Sequence, residues 1–153
     1  MDPEISRIVR MIEKTFDKSP WYGTSIMGSL SEISPAQASH RAGQNHSINE
    51  LTLHMVSWRT FAVRRLSGDN TFEISDELNF PLGSDWAEAL KKLRQSQEEL
   101  VAAAKDFPDS RLGELVPSKT QKYTYYTLLH GIIQHDIYHL GQIQLSRKSL
   151  AGT

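Results

Sequence analysis

The chain has 153 residues, 39% hydrophobic and 23% charged, with a net charge of −1 and no cysteine. That length predicts one domain, 1–153, with a single well-filled core. No basic block or stripe is present, so neither nucleic acid nor anionic membrane is an expected partner. Without cysteine there are no disulfides, thiolate ligands or thiol nucleophiles, and any metal chemistry must rest on His, Asp or Glu.

The first helix is predicted from "DPEISRIVRMIEKTF". Asp2 reads as its N-cap, Pro3 as its first residue and Glu4 as a first-turn acid. Ile5, Ile8, Val9, Ile12 and Phe16 recur at three- and four-residue intervals, the stripe of a half-buried helix. The same opening is acidic and amphipathic, unlike a signal peptide. No stretch reaches the roughly 18 apolar residues of a membrane span, so a cytoplasmic location is expected. Pro20 ends the helix. From Ser19 to His46 the pattern is irregular, with helical turns expected in "TSIMGSLSEIS" and in "SPAQASHR" after Ser34-Pro35. A connection this long is expected to pack against the bundle rather than hang free.

Ser47 and Glu50 in "SINE" form a capping box that opens helix 2. Ile48, Leu51, Met55, Trp58, Phe61, Ala62 and Leu66 supply its apolar face. Gly68 closes it, and Arg64-Arg65 read as a solvated flank. Residues 69–83 read as loop. Helix 3 starts near Ser84 or Asp85, with Trp86, Leu90, Leu93, Leu100 and Val101 inward and Lys and Glu outward. "FPDSRLGELVPSKTQ" reads as a second loop, and helix 4 runs from about Tyr123 or Thr124 to Lys148. Four long helices without internal repeats predict an all-α four-helix bundle.

The last helix contains "GIIQHDIYHLGQIQL". At about 100° per residue, His135 and His139 lie within roughly 40° of one another. Leu128, Ile132 and Ile143 share that inward face, with Gln142 on its edge. Two histidines one turn apart are the usual way a helix offers two nitrogens to one metal ion. "HDIYH" matches the zinc-protease pattern only superficially: Asp136 is shorter than glutamate, and no His, Asp or Glu follows His139. Remaining ligands must come from earlier helices. His54 shares a face with Leu51, Trp58 and Phe61 and completes a three-nitrogen set with an open coordination position, the arrangement of catalytic zinc. The alternative is three hydrogen-bonded core histidines without metal. His130 is expected toward solvent and His40 at the surface, while His46 is placed to reach a site at the start of helix 2. Glu50 is read either as a cap or as an acceptor orienting His54.

Together with "SINELTLHMVSW" and "PWYGTSI", this final helix resembles the DinB-like superfamily, also called the DinB/YfiT-like metal-dependent hydrolases. The likeness spans essentially the whole chain, and H-x-x-x-H-x-x-Q is its most specific part. It implies a bundle of up-down-down-up connectivity with a long crossover between helices 1 and 2. It places the family's histidine triad on His54, His135 and His139, holding a divalent ion such as nickel or zinc. It further implies a homodimer, and either hydrolase or thiol-dependent transferase activity on a small-molecule substrate. With no cysteine in the chain, the thiol would come from a small cofactor. Resemblance and position put Trp21, Tyr22 and His46 at the mouth of the site. Asp136 is not a family ligand position, and neither it, Glu50 nor Tyr138 has the spacing of an evident general base. The alternative function is a non-catalytic metal-binding or stress-related bundle.

Overall fold

The computed structural model describes residues 2–151. Four long helices carry the fold, α1 (Glu4–Asp17), α4 (Ile48–Leu66), α6 (Trp86–Asp106) and α7 (Tyr125–Ala151). Short helices α2 (Ile26–Leu30), α3 (Pro35–Ser39) and α5 (Asp76–Asn79) and a 3-10 turn at Asp109–Arg111 sit in the connections. Among the described residues there is no strand, only a single bridge between Leu115 and Thr124. No described helix is long and apolar enough to cross a membrane.

Helix α4 packs on both α6 and α7, and α1 closes the bundle by packing on the same two helices. Cross-contacts give the directions. Asn49 Nδ2 donates to the Ser84 carbonyl at 2.9 Å, and Arg59 reaches Gln97, so α4 and α6 run side by side from the same end. Tyr125 lies beside Arg65 while His139 lies beside His54, so α7 runs back against α4. The irregular stretch packs as expected. Its two short helices bury Ile26, Leu30 and Ala38, with Ser25 and Ser34 as their caps.

The start of α1 differs from the expectation. Pro3 occupies the cap position without a side-chain bond, and Asp2 pairs with Arg10 at 3.0 Å. The free amides of Glu4 and Ile5 instead donate to the Asp109 carboxylate at 2.8 and 3.0 Å. A proline cannot offer the oxygen that those orphan donors need, so the cap comes from the far end of the chain.

The core holds two buried arginines. Arg59 is 1% exposed and lies over the Phe16 ring. Its Nε and Nη2 donate to Asp136 Oδ2 at 2.9 and 2.7 Å, and its Nη1 donates to Gln97 Oε1 at 2.8 Å. Burial pushes the Asp136 carboxyl up and the guanidinium opposes that shift. Arg65 is also 1% exposed, which corrects its reading as a solvated flank. It stacks on Phe61 and donates to the Asp69 carbonyl and to Glu73. The loop after α4 folds back far enough to supply acceptors for both terminal nitrogens, while Nε has no partner.

Two stability outcomes are expected. Asp136→Ala leaves a guanidinium uncompensated in the core and should cost about 3–5 kcal/mol in urea unfolding. The Arg59→Met/Asp136→Leu double variant should recover most of that loss. Asp109→Ala should cost about 1 kcal/mol by removing the distant cap of α1, and a change below experimental error would show that water replaces it.

Candidate metal centre

The triad is built by α4 and α7. Ser47 and Glu50 form the capping box that sets the start of α4: Ser47 Oγ accepts from the Glu50 amide at 3.1 Å, and Glu50 Oε2 accepts from the Ser47 amide at 2.8 Å. Two turns on, His54 faces α7. His135 and His139 meet it one helical turn apart, so the same periodicity that buries Ile132 and Ile143 buries His139 and half-buries His135.

The three rings bring their Nε2 atoms together. His54 to His135 is 3.0 Å, and His139 to His135 is 3.1 Å. One ligand atom from each lies within 4.8 Å of the others. Tautomers follow from the opposite nitrogens. His54 Nδ1 is 2.6 Å from the Asn79 carbonyl, which can only accept, so Nδ1 carries the hydrogen and Nε2 keeps a lone pair. His139 Nδ1 donates to Gln142 Oε1 at 2.6 Å, with the same consequence. His135 has a buried Nδ1 without a partner. If its Nε2 carries the hydrogen, that one donor faces two lone pairs and Nδ1 is left an acceptor without a donor; if Nδ1 carries it, three lone pairs face one another. A cation among the three nitrogens removes that conflict. A tetrahedral zinc with bonds of about 2.1 Å needs nitrogens about 3.4 Å apart, within a few tenths of an ångström of the separations seen. The donor set fits a divalent ion.

Burial holds all three imidazoles below their ordinary pKa of 6.5, His135 lowest at about 3, and the neighbouring rings add to that. The rings are therefore neutral at physiological pH, the form in which imidazole can bind a metal.

The residues around the triad divide clearly. Glu50 is a cap and a partner of Arg41, not an acceptor for His54. The Arg41 guanidinium holds its carboxyl down at about 2. Asp136 belongs to Arg59. His46 does not join the triad, but stacks on Phe80 at 3.7 Å, and the other face of Phe80 stacks on His54 at 4.2 Å. Tyr138 is 66% exposed and meets only the edge of the His139 ring. Trp21 is fully exposed, so the expectation that it lines the mouth is not met. Tyr22 lines a different cleft with Thr24, Ile137 and Leu140. His40 is exposed as expected, and His130 is half-buried against Tyr126.

Asn79 and Phe80 were not singled out from sequence. They lie in the stretch read as loop, which contains the four-residue helix α5 capped by Ser75. Asn79 is held in place by Trp58 Nε1, which donates to its Oδ1 at 3.0 Å. The signal was faint: Asn79-Phe80-Pro81 marks a turn, and nothing local says that its carbonyl faces a histidine. Arg59 was more legible, being a charge in the Met55–Ala62–Leu66 stripe.

Comparison with known proteins agrees with this architecture. The sequence model described as "DinB superfamily" matches residues 25–143. No curated protein matches the chain. Among solved structures, a DinB-like protein of Bacillus subtilis, YjoA, superposes with a TM-score of 0.69 at 19% identity, over 96% of this chain and 93% of that one. At that identity the likeness concerns the fold. With the family pattern covering most of the chain and the fold matched nearly end to end, the chain belongs to the DinB superfamily.

Proposed function

We propose that the protein binds one divalent metal ion, nickel or zinc, through His54, His135 and His139, and uses it on a small-molecule substrate. One observation carries this reading: two of three buried imidazoles have their Nδ1 atoms tied down, leaving Nε2 lone pairs that converge without another partner. When bound, such an ion supplies Lewis-acid polarisation of an oxygen or sulfur donor. The chain's own residues hold the rings neutral, fix the tautomers of His54 and His139, and flank His54 with the rings of Phe80 and Trp58. Hydrolysis and thiol-dependent transfer are both compatible with this arrangement. The second would draw its thiol from a cofactor.

A non-catalytic reading, a metal-binding or stress-related bundle, is favoured by the state of the neighbouring carboxylates. Asp136 is taken by Arg59 and Glu50 by Arg41, which leaves neither free to move a proton at the triad. Screening the metal-loaded protein for ester and amide hydrolysis and for thiol transfer separates the readings, because activity in either assay that disappears in His135→Ala excludes the binder.

Metal analysis of untagged protein should find about one ion per chain, lost in His54→Ala and in His139→Ala; unchanged content in both would remove the proposal. Gln142→Ala should retain the ion but weaken its affinity about 10–100-fold in chelator competition.

A ring whose pKa is depressed by folding takes up its proton in the unfolded chain first. The metal-free protein should therefore lose stability as pH falls from 6.5 toward about 3. Glu50, ordinarily at 4.5 and here about 2, adds its own loss only below 4.5. Between pH 6.5 and 4.5 the thermal-denaturation slope should thus flatten in His135→Gln, and an unaltered slope would show that the ring protonates normally.

A further inference from the structure

On the side of the triad away from Gln142, the His135 ring forms one wall of a cleft of about 300 Å³. Trp58, Phe61, Tyr123, Leu128 and Ile132 supply most of the rest. No Asp, Glu, Lys or Arg side chain lines it. An apolar cavity of roughly 150 Å³ accepts a benzene, and small-molecule sites begin at about 300 Å³. The cleft therefore has room for one ring with a short substituent, and far too little for a peptide helix.

Two further features tie this space to the three nitrogens. Trp58 stands beside His54 and His135, with ring centres 6.4 and 5.9 Å away, and its indole is fixed through Asn79 to the same loop that holds His54. Gly131 also lines the cleft from the middle of α7. Its backbone angle does not require glycine, and a Cβ there would meet no atom within 4 Å. Glycine inside a helix costs roughly 1 kcal/mol against alanine. Here that cost is offset by no close packing within the protein. What the missing side chain leaves is volume beside His135.

We infer that this cleft is the substrate-recognition half of the site, and that it takes an uncharged aromatic group whose attached oxygen or sulfur donor reaches the ion on the triad. The inference rests on the metal-binding reading. The ring lies against Trp58 and Ile132, and the donor enters past His135, the one triad residue shared by cleft and nitrogen cluster. The cleft beyond Gln142, where Gln44, Asn45 and His46 share the wall with Leu51 and Leu145, is the more polar of the two and offers such a ring less apolar surface.

The test uses zinc-loaded full-length protein and two chelating probes that differ in one group, benzohydroxamate and acetohydroxamate. Binding is read by calorimetry and by Trp58-dependent fluorescence quenching. The aromatic probe should bind about tenfold or more tightly than the methyl probe, the gain expected from burying one ring. Gly131→Leu fills the cleft while improving helix propensity, so folding is not endangered. It should abolish the preference while leaving zinc content and acetohydroxamate affinity unchanged. Equal affinities in the parent protein, or a preference that survives Gly131→Leu, overturn the inference while metal binding stands, the latter placing the ring in another cleft such as the more polar one. A parent protein that takes up no zinc overturns the metal reading, and the inference with it.

Discussion

Three imidazoles buried in an apolar bundle present a constraint the rest of the structure answers. Each neutral ring has one donor and one acceptor nitrogen, and both need partners once water is gone. Asn79 and Gln142 satisfy the donors of His54 and His139, which leaves the acceptors facing inward on His135. The cluster is thus satisfied on the outer side of His54 and His139, unpartnered at the Nδ1 of His135, and electron-rich at its centre. That asymmetry is compatible with a metal-ligand set, since the acceptors of ordinary core histidines find a hydroxyl or an amide.

Keeping the Nε2 atoms of His54 and His139 within about 3 Å of that of His135 demands a fixed register between α4 and α7. The Arg59–Asp136 pair sets it. Arg59 is five residues beyond His54, and Asp136 stands between His135 and His139, so the ion pair and the triad lie side by side on the same two helices. A slip of one turn would part both. Arg59 also reaches Gln97, tying α6 into the same layer. Buried ion pairs are weak sources of net stability, but they discriminate strongly between alternative registers. In this bundle that discrimination protects the geometry of the site.

The connections complete what the helices begin. The stretch around α5 brings an accepting carbonyl and an aromatic ring to His54, and the opening of α4 is tied by Arg41 to the crossover. Two unlike clefts result: a mixed one beyond Gln142 and a more apolar one beyond His135.

Periodicity and capping alone determined the four long helices, the capping box at Ser47 and Glu50, and the inward face shared by His135 and His139, because these depend on residues within two turns of one another. They also placed His54 on an apolar face. Only the tertiary structure decided that the three rings share a centre, that Asp136 answers Arg59 rather than a ligand, that Arg65 is buried, and that Asp109 caps α1 from 105 residues away. Apart from Arg65, whose partners Phe61, Asp69 and Glu73 are near in the chain but brought to it by the fold of a loop, each depends on groups far apart in sequence, whose meeting is set by how helices pack.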